Sequence, residues 1–201
     1  MTDVTTRTKL EKALRNEWVK TGIMLVIVLI AFFAFWFGIR YALATEYPLL
    51  AVASPSMVPT LNVGDLIVVH GISNASEIYT HYSNGDIIIF HTYMSGGPNL
   101  RTGYPDELIV HRAINKTLID GKLYFSTKGD NNQTPDFWRV PDNYIVGKVV
   151  GVVPWIGNVP LFIRTPGGLV TIVVLIIIVV LVESIYSFFK DKRKQLVEVQ
   201  T

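Results

Sequence analysis

Between Ala53 and Leu61 the chain reads ASPSMVPTL, a serine followed by a methionine and held between two prolines. A serine hydroxyl is a useful nucleophile only when a neighbouring base takes its proton, so Ser56 needs a partner supplied by the fold. Histidine occurs at 70, 81, 91 and 111, and His111 stands apart because it interrupts the apolar run LIVHRAI, with Arg112 beside it. A third segment, STKGDNNQTPD (126–136), gathers Asp130, Asn131, Asn132 and Asp136 where there is little apolar surface to bury. Ser, His and Asp from three strand ends would supply nucleophile, general base and the carboxylate that fixes the imidazole tautomer. At this level of reading either aspartate could serve. An imidazole accepts a proton near neutral pH, and positioned acid–base help is worth about 10²- to 10⁴-fold, so the expected activity rises with pH and is indifferent to chelators.

Other chemistries have less to stand on. Lys116 or Lys128 could act in a Ser–Lys dyad, which keeps the enzyme class and changes the base. The histidines form no i, i+4 pair or HExxH motif, and there is no cysteine, so no metal is expected and thiol chemistry is excluded. No cofactor is expected either. A membrane-tethered β domain that binds partners, with Ser56 and His111 incidental, is the reading from outside enzymology.

These residues must be positioned by the elements around them. Half of the 201 residues are hydrophobic, and once two apolar runs are subtracted there is room for one modest domain. GIMLVIVLIAFFAFWFGI (22–39) has 18 residues without a charge, about 27 Å as a helix, nearly a hydrocarbon core. Ala42-Leu43-Ala44 has the form of a signal cleavage site, but the run is longer than a cleavable signal's, which favours a retained anchor. The second run, GGLVTIVVLIIIVVLV (167–182), follows Pro166 and precedes the cluster Lys190, Lys192, Arg193 and Lys194. Lys and Arg gather before the first run and after the second, so the positive-inside rule puts both termini in the cytoplasm. The expected division is a basic N-terminal segment at 1–21, a transmembrane helix at 22–44, an extracytoplasmic domain at 45–165, a second transmembrane helix at 166–189 and a tail at 190–201. The net charge of +2 resides in the ends, and no nucleic-acid surface is implied.

The intervening domain reads as mainly β. Strands are expected at 49–54, 65–70, 86–93, 107–114, 122–127 and 144–153, with VPLFI (159–163) as a further one. Asp120-Gly121 signals a two-residue hairpin, and 93–106, rich in Gly and Pro, reads as an exposed loop. Met57 is suited to packing beside a substrate groove or touching lipid. The runs 49–54 and 86–93 are the expected walls of that groove. Asn74, Asn115 and Asn132 begin N-x-S/T sequons.

SPSMVPTLNVGDLIVV, NGDIIIF, IVHRAI and STKGDNNQTPD, in that order between two apolar runs, resemble the motif boxes of type I signal peptidases. Histidine at 111, where bacterial members carry lysine, makes the chain similar to the archaeal and endoplasmic-reticulum branch. The resemblance implies a compact signal-peptidase-like β domain with Ser56 as nucleophile, His111 as general base and an aspartate of the last box as third member. Asp136 matches that position, with Asp130 ordering the loop. It also implies an oxyanion site from the Ser56 backbone N–H and the Ser54 hydroxyl. Pro55 departs from the usual glycine; it removes the N–H of residue 55 but not that of Ser56. The implied substrates are signal-peptide-bearing preproteins cut after small residues. Membrane lipid and the secretion translocon are the other expected partners, in a cell membrane or, in a eukaryote, an endoplasmic-reticulum membrane with the domain in the lumen.

Overall fold

The uncharged run at 22–39 forms the body of helix α1 (Glu17–Ala42) in the computed structural model, which describes residues 17–91, 93–94, 97–98 and 108–198. Apolar side chains from Ile23 to Phe37 are exposed around it, with no polar face turned outward. Such a helix has no core of its own to join. Helix α3 (Pro166–Glu198) is its C-terminal counterpart. Pro166 opens it, where a fixed φ and a missing N–H cost nothing, and the Thr165 hydroxyl caps it by accepting the Gly168 N–H at 2.9 Å. Both helices are long and apolar enough to cross a membrane, over Val19–Ala42 and Pro166–Tyr186. The helix continues past 189 through the basic cluster, because good helix formers and no glycine or proline follow.

Among the described residues nine strands follow α1: β1 (Leu49–Ala51), β2 (Leu66–His70), β3 (Ile87–His91), β4 (Tyr93–Met94), β5 (Gly97–Pro98), β6 (Leu108–Ile119), β7 (Lys122–Lys128), β8 (Val140–Pro141) and β9 (Ile145–Val153). Seven of them make one antiparallel sheet in the order β1-β2-β9-β3-β6-β7-β8, and β4 pairs with β5 alone. The run Ile87–Phe90 lies mid-sheet with Ile89 in one core cluster and Ile88 and Phe90 in another, so both faces of β3 are covered. That is why it reads as continuous rather than alternating hydrophobicity. Asp120 and Gly121, at φ 49° and 77°, make the expected tight hairpin between β6 and β7.

Four expectations change. The first strand stops at Ala51, and β6 extends to Ile119, beyond the expected 114. The segment VPLFI is not a strand but most of a short helix, α2 (Asn158–Ile163). Pro160 has no N–H for a ladder, and α2 packs instead against the start of α3 and against β1. Of the loop expected at 93–106, β4 and β5 occupy part, and the remainder lies outside the described residues.

Candidate active site

Ser56 lies in a single 3-10 turn, Pro55–Met57, just after β1. Proline is preorganised for the first position of such a turn. The turn is tied down from across the molecule: the Asn131 N–H donates to the Ser56 carbonyl at 2.8 Å, and the Asn131 side-chain amide donates to the Pro55 carbonyl at 3.2 Å. Met57 turns inward and packs among Val52, Leu61, Ile67, Val69 and Ile89 at 1% exposure, so it anchors the turn in the core and does not touch lipid. Ser56 is left half-buried at the surface, with its Oγ 3.2 Å from the Ser54 Oγ.

His111 sits on β6 opposite Ile88, almost wholly buried. Its Nδ1 is 2.6 Å from Asp136 Oδ2, and the Thr127 hydroxyl donates to that same oxygen at 2.7 Å. An ionised carboxylate can only accept, so the proton of a neutral imidazole belongs on Nδ1 and Nε2 carries the lone pair. A Cβ added at Gly129 would lie 2.9 Å from that Nε2 and 2.7 Å from the Ser56 carbonyl oxygen. Gly129 thus packs against both Nε2 and the Ser56 carbonyl, with no room for a side chain between them. Gly129→Ala is expected to push the turn and the imidazole apart and to lower kcat/KM about 10²-fold, with a smaller loss of stability. Parallel steady-state kinetics and thermal melts check this; wild-type kcat/KM in the variant would refute it.

The strand pleat sends Arg112 to the opposite side from His111. There it grips Asp130 through Nε at 2.8 Å and a terminal nitrogen at 2.6 Å, and donates to the Gly85 carbonyl at 2.7 Å. Thr60 also donates to Asp130. Burial by itself would raise the Asp130 pKa, but hydrogen bonds from Arg112 and Thr60 and the nearby positive charge bring it below the usual carboxylate value. The same pairing raises that of Arg112. A carboxyl with a depressed folded pKa stabilises the fold above its unfolded pKa, about 3.9, and loses that contribution as pH falls through the folded value. Asp130→Asn is expected to cost about 2–3 kcal/mol at pH 7, and the gap from wild type should narrow below about pH 4. A gap in denaturation midpoint that stays constant into acid would contradict this.

Ser56 and His111 line one cavity of about 360 Å³, with Ala51–Ser54 on one wall, Leu108–Val110 on the other, and Asn132 beside them. The expected wall at 49–54 contributes its second half. The run 86–93 does not contribute, because β3 is covered on both faces and its neighbour β6 takes that place. Sequence reasoning did not single out Thr127, Gly129 or the tie from Asn131. Their signal was the density of polar residues in STKGDNNQTPD, which has no packing reason to exist. Neither lysine lines the cavity: Lys116 Nζ donates to the Ser76 and Ile78 carbonyls at 2.6 and 2.9 Å, and Lys128 Nζ sits over the Tyr82 ring.

Residues 15–117 match the family model described as signal peptidase, peptidase S26. The chain is 30% identical over 148 residues to the signal peptidase complex catalytic subunit SEC11 of Zygosaccharomyces rouxii, covering 69% of this chain and 79% of that one. The same subunit of Chaetomium globosum is 28% identical over 155 residues (74% and 82%), and that of Schizosaccharomyces pombe 26% over 149 (69% and 79%). The chain belongs to the signal peptidase family. It is a serine endopeptidase, and its SEC11-type relatives put this signal peptidase in the archaeal and endoplasmic-reticulum branch. The family match spans Ser56 and His111 and ends before the loop that carries Asp130 and Asp136.

Proposed function

We propose that this signal peptidase is a membrane-bound serine endopeptidase that removes N-terminal signal peptides from exported preproteins after small residues of the Ala-x-Ala type. Ser56 is the nucleophile, His111 the general base, and Asp136 holds the imidazole in its working tautomer. One observation carries the reading: Nδ1 of a buried imidazole lies 2.6 Å from Asp136 Oδ2, and that imidazole shares a single cavity with Ser56.

The steps follow from that geometry. Ser56 Oγ attacks the scissile carbonyl while its proton passes to His111 Nε2, and Asp136 stabilises the imidazolium. We assign the oxyanion to the Ser56 N–H and the Ser54 hydroxyl, and the Ser54 Oγ at 3.2 Å from the attacking oxygen supports its part in this. Nε2 then protonates the leaving amine, which departs as the N-terminus of the mature protein. Water, deprotonated by the same nitrogen, attacks the acyl-enzyme and releases the signal peptide's new carboxylate. Asp130 takes no part in proton transfer; held by Arg112 and Thr60, it orders the loop.

The placement suits the substrate. We read α1 and the first 21 residues of α3 as spans, with both termini cytoplasmic and residues 45–165 forming the catalytic domain across the membrane. Ser56 follows the end of α1 by 14 residues, so the cut falls close to the bilayer, just past a signal's hydrophobic region and where a translocon would deliver it.

The small-residue rule comes from the family resemblance, since a cavity of about 360 Å³ has room for larger side chains and does not by itself impose it. Exchanging alanine for phenylalanine at the residue preceding the scissile bond of a model preprotein is expected to lower kcat/KM about 10²-fold or more. Mass spectrometry of the product ends, using the purified chain, measures it. Equal cleavage of both substrates would remove the small-residue rule, and processing by a Ser56→Ala protein would return the non-catalytic binding domain to favour.

A further inference from the structure

A second cavity of about 420 Å³ opens beside β1, lined by Trp36 of α1, Leu49, Leu50 and Leu66 at the sheet edge, and Leu161 and Arg164 at α2. Its size is that of a small-molecule site. Its lining is mostly apolar, and Arg164 is the one charged side chain in it among the described residues. Its position along the molecule is set by both long helices. Trp36 lies six residues before the end of α1, about 9 Å along the axis, and Arg164 stands two residues ahead of Pro166, where α3 begins.

The same element supports this. On α2, Val159, itself a lining residue of the groove, is exposed together with Phe162 and Ile163 at i, i+3 and i+4 spacing, and Trp155 just before it is 80% exposed. An outward apolar stripe beside a cationic side chain is the pattern of a helix lying in a lipid interface. Resting on the reading that α1 and α3 span the bilayer, we infer that this groove is a phospholipid site. An acyl chain lies between α1, β1 and α2, and an anionic headgroup phosphate meets the Arg164 guanidinium. Ala51 lines this groove and the catalytic cavity alike, so the lipid packs behind the wall that leads to Ser56 and holds it at a set height above the bilayer.

The test uses the full chain reconstituted in nanodiscs of equal parts phosphatidylcholine and phosphatidylglycerol, then moved to mild detergent, with retained lipid counted by native mass spectrometry. The wild type should keep one phospholipid, phosphatidylglycerol over phosphatidylcholine by about fivefold, as expected for one arginine at an anionic surface. Leu161→Trp, which fills the groove, should reduce retained lipid to background. Arg164→Gln should keep a lipid but lose the preference, and this decides the matter even if the tryptophan variant folds poorly. Both variants should hydrolyse a short soluble peptide at the wild-type rate. Equal retention by wild type and a folded Leu161→Trp, an unchanged preference in Arg164→Gln, or displacement of the lipid by a peptide of a signal's apolar segment would each overturn the inference. Alkaline carbonate separates the two levels. Release of the wild-type chain from membranes would sink the two-span reading and this site with it, whereas a resistant chain with unaltered lipid counts would sink the site alone.

Discussion

Alanine in place of His111 is expected to lower kcat/KM for a small-x-small signal peptide by about 10⁵- to 10⁶-fold, to the level of Ser56→Ala, with the double variant no worse than either. The non-additivity is the informative part. On the proposed roles Ser56 and His111 act as one unit, so losing either leaves only binding and oxyanion stabilisation. His111 is almost wholly buried against Asp136, so the alanine variant also leaves that carboxylate short of a partner, and a thermal melt must accompany the kinetics. A His111→Ala protein that is folded and retains most of its activity would hand the base to a lysine. The geometry speaks against that outcome: the Lys116 ammonium is held by two carbonyl groups, and Lys128 donates to the Gly129 carbonyl while lying over Tyr82.

The second large effect is expected from Asp136→Asn, about 10⁴-fold in kcat with KM little changed. An amide at 136 can donate to Nδ1, which stabilises the tautomer with its proton on Nε2, and that nitrogen can then no longer accept from Ser56. Thr127 Oγ1 lies at that same atom and can accept the second N–H of the amide, so the loop keeps an anchor and stability should fall far less than activity. Asp130→Asn should show the reverse, a stability loss with kcat near wild type. Kinetics and denaturation on the two variants together separate the positioning carboxylate from the structural one. Similar kcat losses in both would contradict the division of roles.

Much of this molecule was legible in residue types alone. The β-rich middle and the positive φ at Asp120-Gly121 follow from local sequence, but the covering of the run 87–90 on both faces does not, since that run was expected to wall the groove. Other features depended on partners that are far away in sequence. VPLFI has a strand's composition, yet Pro160 lacks the N–H that a ladder needs and the segment coiled against α3 and β1. Met57 suited the side of a groove or lipid on chemistry alone; the 3-10 turn sends it into the core, away from lipid, where it still lines the cavity of Ser56 and His111. Thr127 is one threonine among several until the register of β6 on β7 sets it opposite Ala113, within reach of the carboxylate that His111 uses.

By itself the sequence determined two apolar helices, a β-rich domain between them, and a small set of side chains able to deprotonate a serine, because residue chemistry and hydrophobic periodicity are local properties. Which aspartate meets the imidazole was a matter for the tertiary structure. His111 and Arg112 are neighbours on one strand, and the pleat turns them to opposite sides, where one finds Asp136 and the other Asp130. The close packing at Gly129 is likewise tertiary, since it exists only where the loop, the serine turn and β6 converge.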